Sequence, residues 1–423
     1  MRREVGTGGS SMTSNGIARV DGNRLWESLM EMARIGATPG GGVGRIALTE
    51  LDREARDLFV SWCEASACRV RVDRMGNIIA RRDGSDTALA PVMTGSHLDT
   101  QPLGGRFDGI YGVLAGLEAI RSMNDAGVTT RAPIEVVVWT DEEGVRFPGM
   151  LASGVFAGVY SLEEALARTD ADGVSIAEAL QAIGYAGAEP VGGTLPRAFI
   201  EAHIEQGPIL ESEGKTVGVV KGAQGQRCFR VTVTGEEGHA GTLPMELRKD
   251  ALLGAARMVD AINAIAFRHD PHPVITVGSM SVRPNSPNTI PGQTRFSIDS
   301  RHPDNDVLAT VEQQMREACT AIASASDLQL EFAPVSERAS VSFDQDCIRS
   351  VREAAEKLSI PHRDIYSGAG HDACNLALAV PTGMIFVPCE RGISHNEREN
   401  AKPEDLADGC SVLMHVLMDK ANQ

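Results

Sequence analysis

The chain contains no apolar run long enough to cross a bilayer, no Cys-x-x-Cys pair and no surplus of positive charge. A spanning helix needs roughly 18 apolar residues, so we expect no membrane segment. The net charge of −17 argues against binding to nucleic acids and acidic membrane surfaces, because it repels polyanions. It does not exclude a small anion that binds beside local cations. The eight cysteines are scattered along the chain, a pattern typical of unpaired thiols in a reducing compartment.

The first 20 residues also lack the apolar segment of a secretory signal. Arg2 and Arg3 are followed by Gly, Ser, Thr and Asn residues, so the sequence predicts a disordered arm over residues 1–20 and a cytoplasmic protein. What the chain does contain is 423 residues, of which 42% are hydrophobic and 23% charged. This length and composition predict a globular enzyme of two domains.

Three local patterns precede the main motifs. The glycine-rich stretch Gly36–Gly44 lacks the G-K-[ST] ending and the preceding apolar strand of a phosphate-binding loop, so we interpret it as a plain loop. Thr49 and Asp52 are spaced as a capping box, which predicts a helix from Thr49 to Cys63. Alternating apolar residues over 69–80 predict a β-hairpin that turns at residues 75–77.

The stretch Gly95–Gly109 organises the rest of the chain. It follows an apolar strand end at residues 90–93, and a helix with 3.6-residue apolar spacing is predicted after it over 109–123. The β-branched run Ile134–Trp139 then predicts a second buried strand, which ends in the acidic loop 140–144. Because strand, loop, helix and strand form a βαβ unit, we expect an α/β domain with a central, mostly parallel sheet.

The middle of the chain predicts a second, smaller domain. The composition turns glycine-rich near residues 218–226, and beyond this point the pattern predicts strand 227–234, helix 244–265, strands 274–282 and 294–299, and helix 304–325. This β-α-β-β-α-β order over roughly 110 residues predicts an inserted α+β domain of the ferredoxin-like type. We therefore expect residues 21–222 and 338–423 to form the catalytic domain, and residues 223–337 to form the inserted domain.

The sequence predicts two further strands, over residues 197–204 and 385–388. Residue types that bind metals recur at or after the ends of the predicted strands: His97 with Asp99, Asp108, Glu142 with Glu143, His203, and His395. Any one of them alone is more often structural, but their number favours a metal centre at the sheet edge. Nitrogen and oxygen ligands without a thiolate suit Zn²⁺, Mn²⁺, Co²⁺ or Ni²⁺. Three histidines and two carboxylates fill two metal positions if one carboxylate bridges them. Two ions about 3.5–4 Å apart polarise a carbonyl and generate hydroxide near neutral pH, and a carboxylate that is not a ligand must carry the proton.

The motifs that these residues belong to make the chain recognisable. They are GSHLDTQP (95–102), GGRFDGIYG (104–112), TDEEG (140–144), EAHIEQGP (201–208), GHAGT (238–242), PNTIPG (287–292), DSRH (299–302), SGAGHDA (367–373) and GISHNE (392–397). With these motifs the sequence resembles the M20 metallopeptidase clan and, within it, the carbamoyl-amino-acid amidohydrolases. That subgroup contains N-carbamoyl-L-amino acid hydrolases, β-ureidopropionases and allantoate amidohydrolases.

The resemblance implies a role for each residue of the centre. The implied metal ligands are His97, Asp108, Glu143, His203 and His395, with Asp108 as the bridge between two divalent ions, Zn²⁺ being the foremost candidate. Glu142 is implied as the general base, and the carboxylate of Asp99 as the group that orients His97. Two features favour the amidohydrolases over the clan's exopeptidases. Only ten residues separate His97 from Asp108, and His203 stands where many peptidases carry an acidic ligand.

The resemblance also implies a substrate site and an assembly. Its substrate contacts are Gln206, His239, Asn288, Arg301 and Gly370, and we interpret His371 either as a further polar contact or as a structural histidine. Arg301 would hold a carboxylate through two hydrogen bonds. The inserted domain would serve as a lid and as the interface of a homodimer, and His239 would donate a hydrogen bond to the oxyanion, from its own subunit or from the partner.

The leading functional hypothesis is hydrolysis of the ureido C–N bond of N-carbamoyl amino acids, of L-α or β type. Allantoate or another ureide is the alternative, because such substrates share the carboxylate and the ureido nitrogen. An exopeptidase or deacylase of the same clan and an inactive binding protein on the same fold are weaker hypotheses. Arg391, in the turn before His395, would either favour a more acidic substrate or face solvent.

Overall fold

The structure is a computed structural model that describes residues 19–423. The predicted disordered arm, residues 1–20, therefore lies almost entirely outside the described residues. The chain divides into two compact units. The first contains the residues up to Gly222 and those from Ser342 onward, and the second is Ala223–Val341.

The first unit begins with seven helices and six strands in alternating groups. In chain order these are α1 (Gly22–Met32), α2 (Glu50–Ala65), β1 (Arg69–Val72), β2 (Ile78–Arg82), β3 (Val92–His97), α3 (Ile110–Asp125), β4 (Ile134–Trp139), α4 (Leu151–Phe156), α5 (Leu162–Leu166), α6 (Ile176–Ala182), β5 (Ala198–Ile204), the short α7 (Ile209–Ser212) and β6 (Val217–Ala223).

The second unit follows with β7 (Gly225–Thr234), β8 (Gly238–His239), α8 (Ala251–Ala266), β9 (Val274–Thr276), β10 (Met280–Arg283), β11 (Thr289–Ile290), β12 (Gln293–His302), α9 (Asn305–Ala325) and β13 (Gln329–Arg338). The chain then returns to the first unit through β14 (Val341–Ser342), α10 (Gln345–Lys357), β15 (His362–Ser367), α11 (Asp372–Leu376), β16 (Thr382–Val387) and α12 (Pro403–Asn422).

The large sheet of the first unit has a parallel centre. Its strand order is β1-β2-β4-β3-β5-β16-β6-β14, with β15 beside β6. Strands β4, β3, β5 and β16 run parallel to one another, whereas β1, β2 and β6 pair with their neighbours in the antiparallel sense. All four parallel strands are buried along their whole length, as expected for the centre of a parallel sheet. Their carboxyl ends meet at one edge, and this edge carries the predicted ligands.

Helix α3 packs closely on this sheet because its surface carries a glycine where the backbones approach. A Cβ atom at Gly112 would stand 2.3 Å from the carbonyl oxygen of Ala202 in β5. The helix is buried from Ile110 to Ile120 on every side. It therefore holds the loop at its N-terminus, which contains Asp108, in a defined position at the end of β3 and β5.

The second unit has its own core. Its antiparallel sheet has the order β10-β12-β7-β13 with β9 beside β12, and a two-stranded ribbon joins β8 to β11. The principal elements follow the predicted order of strand, helix, two strands, helix and strand. Apolar residues of α8 and α9 pack against alternate residues of β7 and β12, among them Phe229, Val231, Met258, Phe296 and Met315.

Several local predictions can be compared with these elements. The hairpin is confirmed, because Val72 pairs with Ile78. The capping box is wrong: Asp52 accepts hydrogen bonds from the backbone N–H of Leu48 and from the side chain of Arg56, while the Thr49 hydroxyl donates to a preceding carbonyl. The buried Arg56 competes for Asp52 and removes it from the cap.

Two boundaries in the second unit also differ from the prediction. The helix expected from residue 244 begins at Ala251, because the side chain of Asp250 accepts a hydrogen bond from Leu253 N–H and caps it there. The expected strand 274–282 is two strands, β9 and β10, which both pair with β12. Within residues 19–423, no helix is both long and apolar enough to cross a membrane.

Candidate metal centre

The parallel sheet brings four separate stretches of the chain to one edge. His97 is the last residue of β3, and His203 lies at the end of β5. Asp108 lies in the loop before α3, and Glu143 lies in the loop after β4. His395 follows β16. Because neighbouring parallel strands end at the same edge, residues almost 300 positions apart in the sequence lie in one cluster.

Asp108 is at the centre of this cluster, and its two carboxylate oxygens face different histidines. Oδ1 lies 3.2 Å from Nε2 of His203 and 4.0 Å from Nε2 of His97. Oδ2 lies 3.3 Å from Nε2 of His395. Two ligand groups result, one of His97, Asp108 and His203 and one of Asp108, Glu143 and His395. The arrangement suits a carboxylate that bridges two cations.

The charge of Asp108 is stabilised by its neighbours. Burial is the largest single influence and opposes ionisation. The hydrogen bonds with His203 and His395, together with the attraction of His203 and His97, outweigh it and hold the Asp108 pKa well below its usual range. For His203, burial is likewise opposed by Asp108 and by Glu201, and the result raises the His203 pKa to about 9. The buried carboxylate thus attracts positive charge from both sides.

Glu142 and Glu143 are adjacent in sequence but point to different members of the cluster. Oε2 of Glu143 lies 3.4 Å from Nε2 of His395, and Gln101 holds this carboxylate with a side-chain hydrogen bond of 2.7 Å. Oε2 of Glu142 lies 3.6 Å from Nε2 of His97, and Glu142 belongs to neither ligand group. Burial, followed by the repulsion of Asp372 and other carboxylates, raises the Glu142 pKa well above its usual range. Glu142 is therefore a proton-binding group beside the ligands.

Asp99 contacts its neighbours differently from the prediction. Its main-chain carbonyl, not its carboxylate, lies 2.9 Å from Nδ1 of His97, and the nearest carboxylate oxygen is 3.8 Å away. The carboxylate instead accepts hydrogen bonds from the backbone N–H groups of Glu142 and Glu143, at 3.3 and 3.2 Å. The expectation that the Asp99 carboxylate orients His97 is thus corrected: the carbonyl does so, and the side chain holds the acidic loop.

Three further predicted residues lie around the ligands. Nε2 of Gln206 donates to Oδ2 of Asp108 at 3.0 Å. The buried ring of His371 meets the ring of His203 edge to face at 4.6 Å, and its Nε2 lies 2.9 Å from the hydroxyl of Ser367. Burial, together with the charge of His203, lowers the His371 pKa well below its usual range, which keeps the ring neutral. Gly370 precedes His371 and is partly exposed.

The remaining predicted contacts belong to the second unit. His239 and Asn288 are exposed and lie side by side, because Ala240 N–H donates to the carbonyl of Asn288 and His239 pairs with Thr289. Arg301 is on β12, where its guanidinium makes hydrogen bonds of 2.9 and 3.0 Å to the two oxygens of Asp299.

Arg391, the charge before His395, has a side chain that is 71% exposed. Of its two predicted alternatives, the structure favours the solvent-facing one.

Sequence patterns did not single out two residues that contact the bridging region. Ser394 lies 2.9 Å from Oδ2 of Asp108, and the buried Glu399 accepts hydrogen bonds from the backbone of Phe107 and Asp108. Ser394 directly precedes His395 in the sequence, and Glu399 lies four residues after it. Neither belongs to a strand end or to a spaced pair, so no periodic signal marks them.

The donor set fits two divalent cations. It offers three histidine nitrogens and two carboxylates, no sulfur, and one carboxylate with an oxygen directed to each group. Both groups are compact, since their donor atoms lie within 4.8 Å of one another. The buried carboxylates repel each other in the absence of positive charge, and cations between them would remove that repulsion.

An α/β fold with such a cluster at the carboxyl edge of its parallel strands fits the class of metal-dependent enzymes. The model of the peptidase family M20/M25/M40 matches residues 93–419 of the chain. The chain belongs to this family.

The comparisons with individual proteins agree with this assignment. The N-carbamoyl-L-amino-acid amidohydrolase of Rhizobium meliloti is 47% identical over 410 residues, which are 95% of this chain and 97% of the relative. The allantoate amidohydrolase of Escherichia coli strain K12 is 36% identical over 403 residues, 94% of this chain and 97% of the relative. A crystal structure of an amidase of the hydantoinase/carbamoylase family from Burkholderia multivorans is 56% identical, covers 96% of this chain and 99% of its own, and superposes with a TM-score of 0.94.

Proposed function

We propose that this chain hydrolyses the ureido C–N bond of N-carbamoyl amino acids and releases the free amino acid, ammonia and carbon dioxide. The observation that carries the proposal is the two-sided arrangement around Asp108, with Glu142 beside the ligands but outside both groups. The relative from Rhizobium meliloti, similar over nearly the whole length, supports the choice of substrate.

In this proposal His97, Asp108, Glu143, His203 and His395 would hold two divalent cations, which would polarise the ureido carbonyl and lower the pKa of water. Glu142 accepts a proton from the attacking water and returns it to the leaving amine nitrogen. Its raised pKa suits a group that must hold that proton between the two steps. Cleavage leaves the amino acid and carbamate, and the carbamate decomposes to ammonia and carbon dioxide.

The substrate contacts are proposed on the resemblance. Arg301 binds the carboxylate of the substrate in addition to its ion pair with Asp299. His239 and Asn288 form hydrogen bonds with polar groups of the substrate. Gln206, Gly370 and His371 complete the contacts at the metal centre. Because His371 is buried and neutral, it can accept or donate a hydrogen bond without adding charge.

A substrate panel tests the proposed reaction. Ammonia release is measured from the L and D forms of N-carbamoyl-alanine, from N-carbamoyl-β-alanine and from allantoate, with Glu142→Gln as the inactive control. We expect turnover of an N-carbamoyl amino acid that Glu142→Gln loses. Turnover of dipeptides without any ureide hydrolysis would overturn the proposal in favour of an exopeptidase.

Allantoate is the second candidate substrate. The observation in its favour is the similarity to the Escherichia coli allantoate amidohydrolase over most of both chains. Allantoate ranks second because the identity to the carbamoyl-amino-acid enzyme is higher. A larger kcat/KM for allantoate than for every N-carbamoyl amino acid of the panel would reverse this order.

Zn²⁺ is the proposed native metal, with Mn²⁺, Co²⁺ and Ni²⁺ as alternatives. The mixture of three histidine nitrogens and two carboxylates supports a borderline metal rather than Mg²⁺ or Ca²⁺, which prefer oxygen ligands. Elemental analysis of protein purified without added metal tests this, and activity regained with each ion after chelation ranks them.

We further propose that the second unit is a lid and the interface of a homodimer in the cytoplasm. Eight large apolar side chains of this unit are exposed: Met245, Leu247, Leu252, Leu253, Phe267, Val274, Met280 and Val335. Such an exposed apolar set supports an interface, and the scattered positions of the eight cysteines in the sequence support a reducing compartment. Light scattering at a mass near 45.0 kDa, that of one chain, would contradict the dimer. Recovery of the protein in a periplasmic or secreted fraction would contradict the location.

A further inference from the structure

A buried carboxylate outside both ligand groups links two loops of the metal centre. Glu399 is 1% exposed and lies four residues after His395 in the sequence. Its Oε1 accepts hydrogen bonds from the backbone N–H groups of Phe107 and Asp108, at 2.8 and 3.2 Å. The side chain thus joins the main chain that carries the bridging aspartate to the segment that carries His395.

The other oxygen of Glu399 continues this link to the bridging carboxylate. Oε2 lies 3.1 Å from the hydroxyl of Ser394, and that hydroxyl lies 2.9 Å from Oδ2 of Asp108. The hydroxyl has a single proton, so it donates to one carboxylate at a time. Each carboxylate also has donors of its own. The Gln206 side chain donates to Asp108, and the backbone N–H groups of Phe107 and Asp108 donate to Glu399.

The Glu399 carboxylate packs tightly against the backbone of Gly105. A Cβ atom at Gly105 would stand 2.0 Å from this carboxylate, so the loop before Asp108 wraps directly over it. A buried carboxyl group with this many hydrogen bonds is costly to leave without partners. The contact is therefore a buried structural link between the loop before α3 and the segment after β16, not an incidental surface contact.

We propose that Glu399 is a positioning residue that fixes the Oδ2 side of Asp108 and so sets the cation position shared with Glu143 and His395. The argument depends on the metal centre of the proposed function but not on its substrate. Ser394 and Gln206 both contact Oδ2 of Asp108, whereas Oδ1 faces His97 and His203. Loss of Glu399 then acts first on the group of Glu143 and His395.

The test compares two substitutions at the same position. Gln in Glu399→Gln can still accept from both backbone groups with its oxygen and donate to Ser394 with its nitrogen, whereas Glu399→Ala removes every contact. Each purified variant is stripped of metal, and the binding of two Zn²⁺ ions is measured by competition with a chromophoric chelator. Glu390→Ala is the matched control, because Glu390 is in the same segment, is exposed and contacts Asn400 rather than a ligand.

In Glu399→Ala we expect one of the two Zn²⁺ affinities to fall about 10- to 100-fold while the other changes little. Glu399→Gln and Glu390→Ala should retain both affinities. Two unchanged affinities in a folded Glu399→Ala would overturn the proposal, and so would equal damage in Glu399→Gln, since charge alone would then be responsible.

A second variant covers the case in which Glu399→Ala does not fold. Ser394→Ala leaves the backbone contacts of Glu399 intact but cuts its link to Oδ2, and we expect the same single affinity to weaken. If Ser394→Ala keeps both affinities, the proposal fails. Because the readout is Zn²⁺ binding, a negative substrate panel leaves this result unaffected, whereas absence of two Zn²⁺ sites in the unsubstituted protein would disprove the centre itself.

Discussion

The division of labour between Glu142 and Glu143 gives the sharpest test of the proposed reaction. Glu143 faces His395 and belongs to a ligand group, whereas Glu142 faces His97 and belongs to none. Glu142→Gln should therefore remove the proton carrier and leave the ligands in place. Glu143→Gln makes the same change at the next residue, which is a ligand, and should therefore weaken metal binding.

The size of the effect follows from the role. General acid–base catalysis contributes about 10²- to 10⁴-fold, and each factor of ten corresponds to about 1.36 kcal/mol of activation free energy. We expect kcat of Glu142→Gln to fall by that factor, a loss of about 3–5 kcal/mol of transition-state stabilisation.

Although Glu142→Gln should lower kcat, it should not lower the stability of the metal-free protein. Glu142 is buried among carboxylates, with Asp372 the first of those that repel it. Replacing it by a neutral isostere removes this repulsion, so metal-free Glu142→Gln should unfold at the same or a higher temperature than the unsubstituted protein.

The assay combines ammonia release from the preferred substrate with metal content by mass spectrometry. Glu142→Gln should contain two ions per chain and have almost no activity, and Glu143→Gln should lose metal together with activity. Full turnover in Glu142→Gln would refute the assigned base. Loss of metal in Glu142→Gln would refute the separation of roles.

Three other predictions follow from single contacts. Gly109→Ala should destabilise the protein by about 1–3 kcal/mol and weaken metal binding, because Gly109 has φ +71° and a Cβ would stand 2.3 Å from the His97 ring. The matched control Gly127→Ala, at φ +64° with nothing within 4 Å, should cost only about 1 kcal/mol in urea unfolding, and equal costs would contradict this account. Arg301→Ala should lower kcat/KM for carboxylate substrates, and an unchanged value would exclude Arg301 from the site. Chelation should lower the melting temperature of the unsubstituted protein, since the clustered carboxylates lose their counter-charge; an unaltered melting curve after verified metal loss would disagree.

Much of the first unit could be predicted because its signals are local. Runs rich in apolar residues predict β4 and β5, and a ligand-type residue at or just after each run places the centre at one sheet edge. His97, His203 and Asp108 lie together in the structure as the strand ends require. Parallel pairing turns a one-dimensional pattern into a spatial cluster, and this is why distant residues could be assigned together.

The contacts that could not be predicted depend on packing between distant segments. The spacing of Thr49 and Asp52 predicts a cap, but the buried Arg56 and the backbone of Leu48 use Asp52 instead. Motif position identifies Asp99, but not which of its atoms meets His97. Glu399 has no periodic neighbour, and its partners Phe107 and Asp108 are about 290 residues earlier.

The central claim is that Asp108 bridges two cations held on its opposite sides. Anomalous diffraction from crystals grown with Zn²⁺ measures this directly. We predict two peaks about 3.5–4 Å apart, one between Oδ1, His97 and His203 and one between Oδ2, Glu143 and His395. A single peak, or two peaks that do not share Asp108, would contradict the account.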